Sequence, residues 1–303
     1  MRNQKLRKNS LFTIALLALS TLFVACSQDD NNIENLDGKG RLTVNITDAP
    51  FPIDIVDKTV VTIDRLSIGS AAKGEEEGNF LVLSEEEREI DLLDLTHGVT
   101  LELASVDIDA GTYDEIRLHV VDAKVLLKDG TEFDLKIPSG SSSGLKIKIA
   151  PAVTIEEGLE STVLLDFDVS KSFVMQGNMN TPAGIKGFLF KPVIRCVFEG
   201  FTGQIEGTVT DTSAVVLPNA LVKVWNLTPE MEPDTVVTSG FTNETGYYKI
   251  IGLPEGTYHL TGELENYEPL LIEEVAVESK VTTTVDFELT PVEPEAPAEE
   301  TGE

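Results

Sequence analysis

Short runs in which apolar and polar residues alternate restrict the fold of this chain more than any other feature. Three such runs lie at 42–47, 116–120 and 163–169. A period of two residues is typical of strands that bury one face, whereas helices show a period near 3.6. Because long helical patterns are nearly absent, the sequence predicts an all-β fold. Only the stretch 85–103 has leucines that fit either a helix or a buried strand.

A change of pattern near residue 200 indicates two domains. Before it, longer strands are separated by turn signals, and after it the chain consists of tight hairpins marked by glycine. The sequence therefore predicts two consecutive β-sandwich domains, a β-rich one over 39–199 and a second over 202–290. The segment 291–303 combines prolines and glutamates with almost no large apolar residue, which predicts a disordered acidic tail.

Four motifs in order characterise the second domain, at 203–211, 218–224, 242–250 and 252–258. Their glycines close turns after polar residues, and Pro254 supplies the fixed φ that a turn requires. With these motifs, residues 203–290 resemble the carboxypeptidase regulatory-like domain. That resemblance implies a seven-stranded transthyretin-like sandwich. The namesake family joins this domain to a zinc peptidase, and the sequence contains no such peptidase domain.

Three motifs characterise the first domain, at 42–50, 91–98 and 110–118. With them, residues 39–198 resemble an uncharacterised β-rich domain of bacterial surface lipoproteins, domain of unknown function 4382. Neither this resemblance nor that of the second domain brings an assigned activity.

The first 26 residues are typical of a targeting segment. Basic residues between 2 and 8 precede an uncharged, mostly apolar run over 11–25, which is shorter than the roughly 20 residues that span a bilayer. Phe23 to Cys26 resembles the lipobox of bacterial lipoproteins, with phenylalanine where leucine is usual. The resemblance implies a lipoprotein signal peptide at 1–25, an acylated (palmitate-bearing) Cys26 and a flexible tether at 26–38. The alternative is a plain cleaved signal with an incidental cysteine. Lipidation is favoured because it accounts for Cys26 and leaves Cys196 as the one remaining cysteine.

The residues after Cys26 bear on localisation. Ser27 stands where aspartate would retain a Gram-negative lipoprotein in the inner membrane, so the resemblance implies the outer membrane. Asp29 and Asp30 resemble the surface-export signal of Bacteroidota lipoproteins, and they also suit a solvated tether. The expectation is a lipid-anchored protein of the outer membrane that faces the cell exterior.

Composition excludes several classes of function. The chain has 52 acidic and 23 basic residues and a formal net charge of −29, and it shows no basic patch that would bind nucleic acid. Its three histidines are scattered without zinc spacing, and phosphate-loop, dinucleotide and nucleophile-elbow motifs are absent. No cofactor and no catalytic residue is therefore predicted, and the protein is not expected to be an enzyme.

Asp107 and Asp109 are the only candidate metal ligands. Alternating aspartates before Gly111 look like half of a calcium loop, but the bidentate glutamate that completes such a loop is out of register. A turn before the strand that begins near Tyr113 is the favoured interpretation.

Two aromatic residues are candidate ligand-binding residues. If Val222 and Val224 face the core, alternation places Trp225 outward, and Tyr247 faces outward by the same rule. Exposed rings on a sandwich can stack on sugars, and regulatory-like domains are grouped with carbohydrate-binding folds. The alternative, which residue statistics favour, is that Trp225 packs against the neighbouring domain or a loop.

These observations predict a non-catalytic surface lipoprotein that binds or presents a polysaccharide or a surface protein. One alternative is a fimbrial or other structural surface subunit, since fimbrillins also begin as lipoproteins and are cut after an arginine. Arg41 lies just before the first predicted strand and suits such a cut. A second alternative is an accessory protein that faces the periplasm.

Overall fold

The computed structural model describes residues 38–49, 55–70, 79–137, 144–178, 184–226 and 235–292. The signal peptide, Cys26, the tether except Gly38 and the tail from residue 293 lie outside the described residues. Within the described ranges, no helix is long and apolar enough to cross a membrane.

Within the described residues, the first domain is built from strands with short 3₁₀ turns and one short helix. The strands are β1 (Lys39–Ala49), β2 (Val56–Gly69), β3 (Phe80–Ser84), β4 (Arg88–Asp91), β5 (Leu101–Asp109), β6 (Gly111–Leu127), β7 (Glu132–Asp134), β8 (Leu145–Ile155), β9 (Glu160–Asp168), β10 (Phe173–Gly177), β11 (Ile185–Phe190) and β12 (Ile194–Phe198). The 3₁₀ turns are Leu92–Leu95 and Glu199–Phe201, and the helix α1 is Val169–Ser172.

One long sheet organises this domain, in the order β3-β2-β6-β8-β12-β9-β1-β5, with β4 beside β2 and β7 beside β6. The link in its middle is narrow, because β12 meets β8 through the single pair Cys196 and Ile149. Strand β1 is parallel to β9 on one side and antiparallel to β5 on the other. Buried residues from both halves form one hydrophobic core, so the sheet curls around that core.

Alternation explains which side chains enter this core. Along β1, Leu42, Val44 and Ile46 are fully buried, while the polar residues between them are half-buried. The prediction of an all-β fold is confirmed. The ambiguous stretch 85–103 forms β4, the 3₁₀ turn at Leu92–Leu95 and the beginning of β5.

The second domain has two sheets that face each other across their own core. Its strands are β13 (Thr202–Asp211), β14 (Leu221–Asn226), β15 (Val236–Phe241), β16 (Tyr247–Pro254), β17 (Gly256–Glu263), β18 (Leu270–Val277), β19 (Thr282–Thr284) and β20 (Phe287–Leu289). One sheet has the order β16-β13-β19 with β20 also on β13, and the other has the order β15-β14-β17-β18.

Strands β19 and β20 occupy one position in the sandwich, because both run parallel to successive parts of β13. The interruption lies beside Gly207, where a Cβ atom would sit 1.8 Å from the carbonyl oxygen of Val285. Asp286 fills the gap in the ladder by accepting the backbone N–H of Thr208 at 2.7 Å. The eight strands therefore give the seven positions of the predicted sandwich.

One detail of the sequence interpretation is wrong. Arg41 does not precede the first strand. It lies inside β1, pairs with residues of β5 and β9, and its guanidinium contacts Asp107 at 2.8 Å.

Candidate functional site

A polar clamp joins the two domains, which belong to one compact unit beginning at Leu36. Arg195 on β12 donates to Asp166 on β9 at 2.7 Å and to the carbonyl oxygen of Gly252 on β16 at 2.7 Å. Thr238 on β15 donates to the same carboxylate oxygen of Asp166 at 3.3 Å. Asp166 is 6% exposed, so the clamp is a buried ion pair with hydrogen bonds from both domains.

Glycines allow the backbones to approach closely beside this clamp. Gly252 has φ of +70°, and a Cβ atom there would lie 2.8 Å from the side chain of Leu164. On the other side, Gly98 has φ of +77°, and a Cβ atom there would lie 3.1–3.2 Å from the side chains of Lys249 and Ile251. Both positions need a left-handed backbone that glycine adopts without steric cost.

A cleft of about 820 Å³ opens at the edge of this junction, and we name it the junction cleft. The first domain contributes the end of the 3₁₀ turn and the residues after it, and the second contributes the ends of β14, β15 and β17 with the loops that follow. The lining residues are Leu93, Thr96, His97, Asn219, Leu221, Phe241, Thr242, Asn243, Glu244, Glu263, Leu264, Glu265 and Pro269.

His97 reaches across the junction into this cleft. Its backbone is left-handed, with φ of +58°, which is uncommon for a residue other than glycine. Burial lowers the pKa of its imidazole below the usual 6.5, and a hydrogen bond with the backbone of Phe241 partly offsets that effect. The ring is therefore uncharged near pH 7.

The charged side chains among these lining residues are three carboxylates. Glu244 and Glu265 are exposed, and Glu263 is half-buried. Glu244 is carried on a turn that Asn243 holds together, since the side-chain oxygen of Asn243 accepts from the backbone N–H groups of Thr245 and Tyr247 at 2.9 and 3.1 Å. The cleft thus presents hydrogen-bond acceptors on an ordered rim.

Four outward-facing residues continue from the cleft along β14 and β17, and we name them the tryptophan row: Lys223, Trp225, Thr261 and Glu263. The indole N–H of Trp225 donates to Thr261 Oγ1 at 3.0 Å. Lys223 donates to both oxygens of Glu263, at 2.8 and 2.6 Å, and its ammonium lies 6.0 Å from the tryptophan ring. Because Glu263 also lines the cleft, the row and the cleft form one continuous surface.

The strand alternation predicted for Trp225 is observed. Val222 and Val224 are fully buried, and Trp225 is half-buried on the outer face. The ring contacts Thr261 on β17 and lies near Lys223 on β14, and His259 is its cross-strand neighbour. The Nδ1 atom of His259 is shielded from solvent and has no hydrogen-bond partner among the described residues.

Tyr247 lies on the other sheet of the sandwich, so the structure does not bring it together with Trp225. Its hydroxyl donates to Glu206 at 2.9 Å, and desolvation with this hydrogen bond raises the pKa of the phenol.

The remaining predicted residues lie elsewhere. Asp107 is paired with Arg41, and the backbone carbonyl of Asp109 accepts from the hydroxyl of Tyr113 at 2.9 Å. In the part of the chain that the structure describes, no three histidine, cysteine or acidic side chains are placed to hold a metal ion. Burial raises the pKa of Cys196 to about 12, as expected of an unreactive thiol. Cys26 lies outside the described residues.

Sequence reasoning missed the cleft-lining residues His97, Glu244, Glu263 and Glu265. They come from segments more than 140 residues apart that meet only through domain docking. The motif at 242–250 contained Glu244, but as part of a turn signature and not as a site.

Family models match both domains. Residues 39–192 match the model described as Domain of unknown function (DUF4382), and residues 204–290 match the Carboxypeptidase regulatory-like domain. No curated protein matches the chain.

Solved structures resemble the chain only weakly. The Bacillus anthracis TIE protein is 15% identical with a TM-score of 0.25, and the alignment covers 84% of this chain and 34% of that one. Catechol 1,2-dioxygenase of Acinetobacter radioresistens is 15% identical with a TM-score of 0.25, covering 34% and 56%. A DUF3823 family protein of Parabacteroides merdae is 20% identical with a TM-score of 0.23, covering 30% and 46%. The chain thus spans between 34% and 56% of these structures, and such TM-scores carry no argument on function.

Proposed function

The chain belongs to the DUF4382 family and carries a carboxypeptidase regulatory-like domain after it; as this membership assigns no activity, we propose a function from the geometry. The protein is a non-catalytic binding module that holds a carbohydrate in the junction cleft and on the tryptophan row. It acts from the outer membrane, where acylated Cys26 anchors it with its domains outside the cell.

The tryptophan row is the observation that carries this proposal. The hydrogen bond from the indole N–H to Thr261 fixes the ring of Trp225 on the outer face of the sheet. An aromatic ring fixed in this way offers an apolar platform for a sugar ring without losing side-chain freedom on binding. Hydrogen-bonding groups stand beside it, in a cleft whose volume is within the usual range for ligand sites.

The environment of the carboxylates supports a binding role over a catalytic one. A general acid usually lies in an apolar pocket that raises its pKa, as in the glycosidases. Glu244 and Glu265 are exposed to water, and Glu263 is held by the ammonium of Lys223. These groups suit hydrogen bonds to hydroxyls better than proton transfer at a glycosidic oxygen.

Replacing Trp225 tests the proposal. The protein is passed over immobilised mannan, xylan, laminarin and chitosan, and its melting curve is recorded in parallel. Trp225→Ala is expected to lower affinity for a retained polysaccharide about tenfold or more, because the stacking surface is lost. Its melting temperature should change little, since the ring is fixed on an outer face.

Tyr247→Ala is the matched control, because it removes an outward aromatic ring from the opposite sheet and should leave retention unchanged. If Trp225 instead packs as a structural plug, Trp225→Ala should lose up to about 3–5 kcal/mol of stability. That loss, or Trp225-dependent capture of a surface protein with no glycan retained, would overturn carbohydrate binding.

A further inference from the structure

We infer that the junction cleft and the tryptophan row select saccharides that carry no negative charge, and that an amino sugar binds there more tightly than its neutral counterpart. This inference rests on the proposed function and adds the class of ligand. It follows from the carboxylates of the lining, the pairing of Lys223 with Glu263 and the acidic composition of the second domain.

The charged side chains that line the cleft are carboxylates, and they stand beside uncharged threonine, asparagine and histidine side chains. Ionised carboxylates accept hydrogen bonds and cannot donate them. Glu244 and Glu265 stand exposed on the rim, and Glu263 lies between the cleft and the row. Such a surface pairs with hydroxyl and ammonium groups, which donate. Its carboxylates cannot donate a hydrogen bond to a carboxylate or sulfate group of a ligand, since such a group only accepts hydrogen bonds.

Lys223, the cation of the tryptophan row, is already paired with a carboxylate. Lys223 donates to both oxygens of Glu263, so the pair is neutral and its ammonium is directed at a carboxylate. His97 adds no positive charge near pH 7 because burial lowers its pKa. An anionic ligand would have to displace Glu263 from Lys223 before it could find a cation in the described part of the site.

The rest of the second domain strengthens this selection. Between residues 202 and 292 the sequence has fifteen acidic side chains, three lysines and no arginine. The other two lysines, Lys249 and Lys280, line a separate recess beside β16 and not the junction cleft. The electrostatic potential at the site is therefore negative, which raises the local concentration of cations and lowers that of anions.

Trp225 is the only tryptophan of the chain, so its fluorescence reports the charge of this surface directly. Quenching by iodide, caesium and acrylamide is measured on the full protein and on free N-acetyltryptophanamide at equal ionic strength. Acrylamide gives the accessibility of the ring. Relative to acrylamide, we expect iodide to quench at least threefold less efficiently and caesium at least as efficiently as in the free compound.

Glu263→Gln tests whether the ion pair with Glu263 neutralises the charge of Lys223. Without the carboxylate the ammonium is released beside the ring, and iodide quenching should rise at least twofold while caesium quenching falls. Glu288→Gln changes the net charge by the same amount on the other sheet, where Glu288 is exposed on β20, and should leave both ratios unchanged. Equal accessibility of the ring to iodide and acrylamide in the wild type would overturn the inference.

Glycan retention gives the second readout. At 0.15 M salt, immobilised mannan, xylan, laminarin, chitosan, polygalacturonate and heparan sulfate are compared with the wild type and Trp225→Ala. We expect Trp225-dependent retention that is stronger on chitosan than on the neutral polysaccharides, and none on polygalacturonate or heparan sulfate. Trp225-dependent retention on either polyanion contradicts the inference. Retention on no glycan at all overturns the proposed function, while the quenching data still decide the charge selectivity of the surface.

Discussion

Asp48 is a buried carboxyl group that forms no ion pair with the residues that the structure describes. It lies near the end of β1 and is 6% exposed, and its Oδ1 accepts the backbone N–H of Val169 at 3.2 Å. Its Oδ2 has no partner in the described part of the chain. Desolvation raises the pKa of Asp48 well above its ordinary value, and the neighbouring charges of Asp166, Asp168 and Asp91 act in the same direction.

The sign of the resulting pH dependence follows from linkage. A raised pKa means that the folded protein holds this proton more tightly than the unfolded chain does. The stability linked to Asp48 is therefore fully present below the unfolded pKa of about 3.9 and is lost as the pH rises through the folded value. Asp48→Asn should melt at a higher temperature than the wild type at pH 7, and the gain should shrink as the pH approaches 4.

Asp168→Asn is the control for this prediction, since Asp168 caps α1 and contacts Lys171 at 2.8 Å. It should lower the melting temperature at pH 7. Melting curves between pH 4 and pH 8 measure both variants. A difference between Asp48→Asn and the wild type that does not vary with pH would show that Asp48 is ionised in the folded protein throughout.

At the scale of elements, Gly252 fixes how closely β16 approaches the first domain. Gly252→Ala should lose about 1–2 kcal/mol from the left-handed backbone and a further 1–3 kcal/mol from overpacking against Leu164. Gly158→Ala is the matched control. Gly158 has a similar φ of +73°, but a Cβ atom there meets nothing within 4 Å.

Denaturant unfolding of both variants measures the difference. The loss of unfolding free energy in Gly158→Ala measures the backbone cost alone. The additional loss in Gly252→Ala measures the cost of crowding the contact between the domains. Equal losses would mean that Leu164 moves aside at no cost and that the domains are not closely packed at this point.

Strand β9 shows how far the sequence predicts the fold. Alternation correctly placed Val163, Leu165 and Phe167 in the core. It also implied that Leu164 and Asp166 face water, yet they are 1% and 6% exposed because the second domain covers them. Period two identifies the core face of a strand, but it carries no information on which outer face a second domain will cover.

The junction cleft was unpredictable for the same reason. Its lining comes from loops of two domains, and loop residues lack a periodic signal that would place them. Trp225 was found because it lies on a regular strand, next to the buried Val224. His97 and Glu263 were missed because their partners, Phe241 and Lys223, are defined by packing across strands and domains.

At the scale of the whole molecule, the proposed anchor can be tested separately from the proposed ligand. Cys26→Ala removes the acceptor of the lipid. Two or more acyl chains anchor stably at about 0.8 kcal/mol per buried methylene. The variant should move from the membrane fraction to the soluble fraction after a carbonate wash and should keep its glycan retention. A variant that stays with the membrane would contradict the lipoprotein proposal.

The position of β1 has a mechanical consequence. A protein that is tethered through its amino terminus and grips a large polymer is put under tension whenever fluid moves past the cell. Under the proposed anchoring, that load would reach β1 at Lys39, its first residue. An outermost strand could be peeled away by breaking one ladder of hydrogen bonds, but β1 is bonded to β9 and to β5, so two ladders must rupture together. The chain enters its fold where it is difficult to pull open.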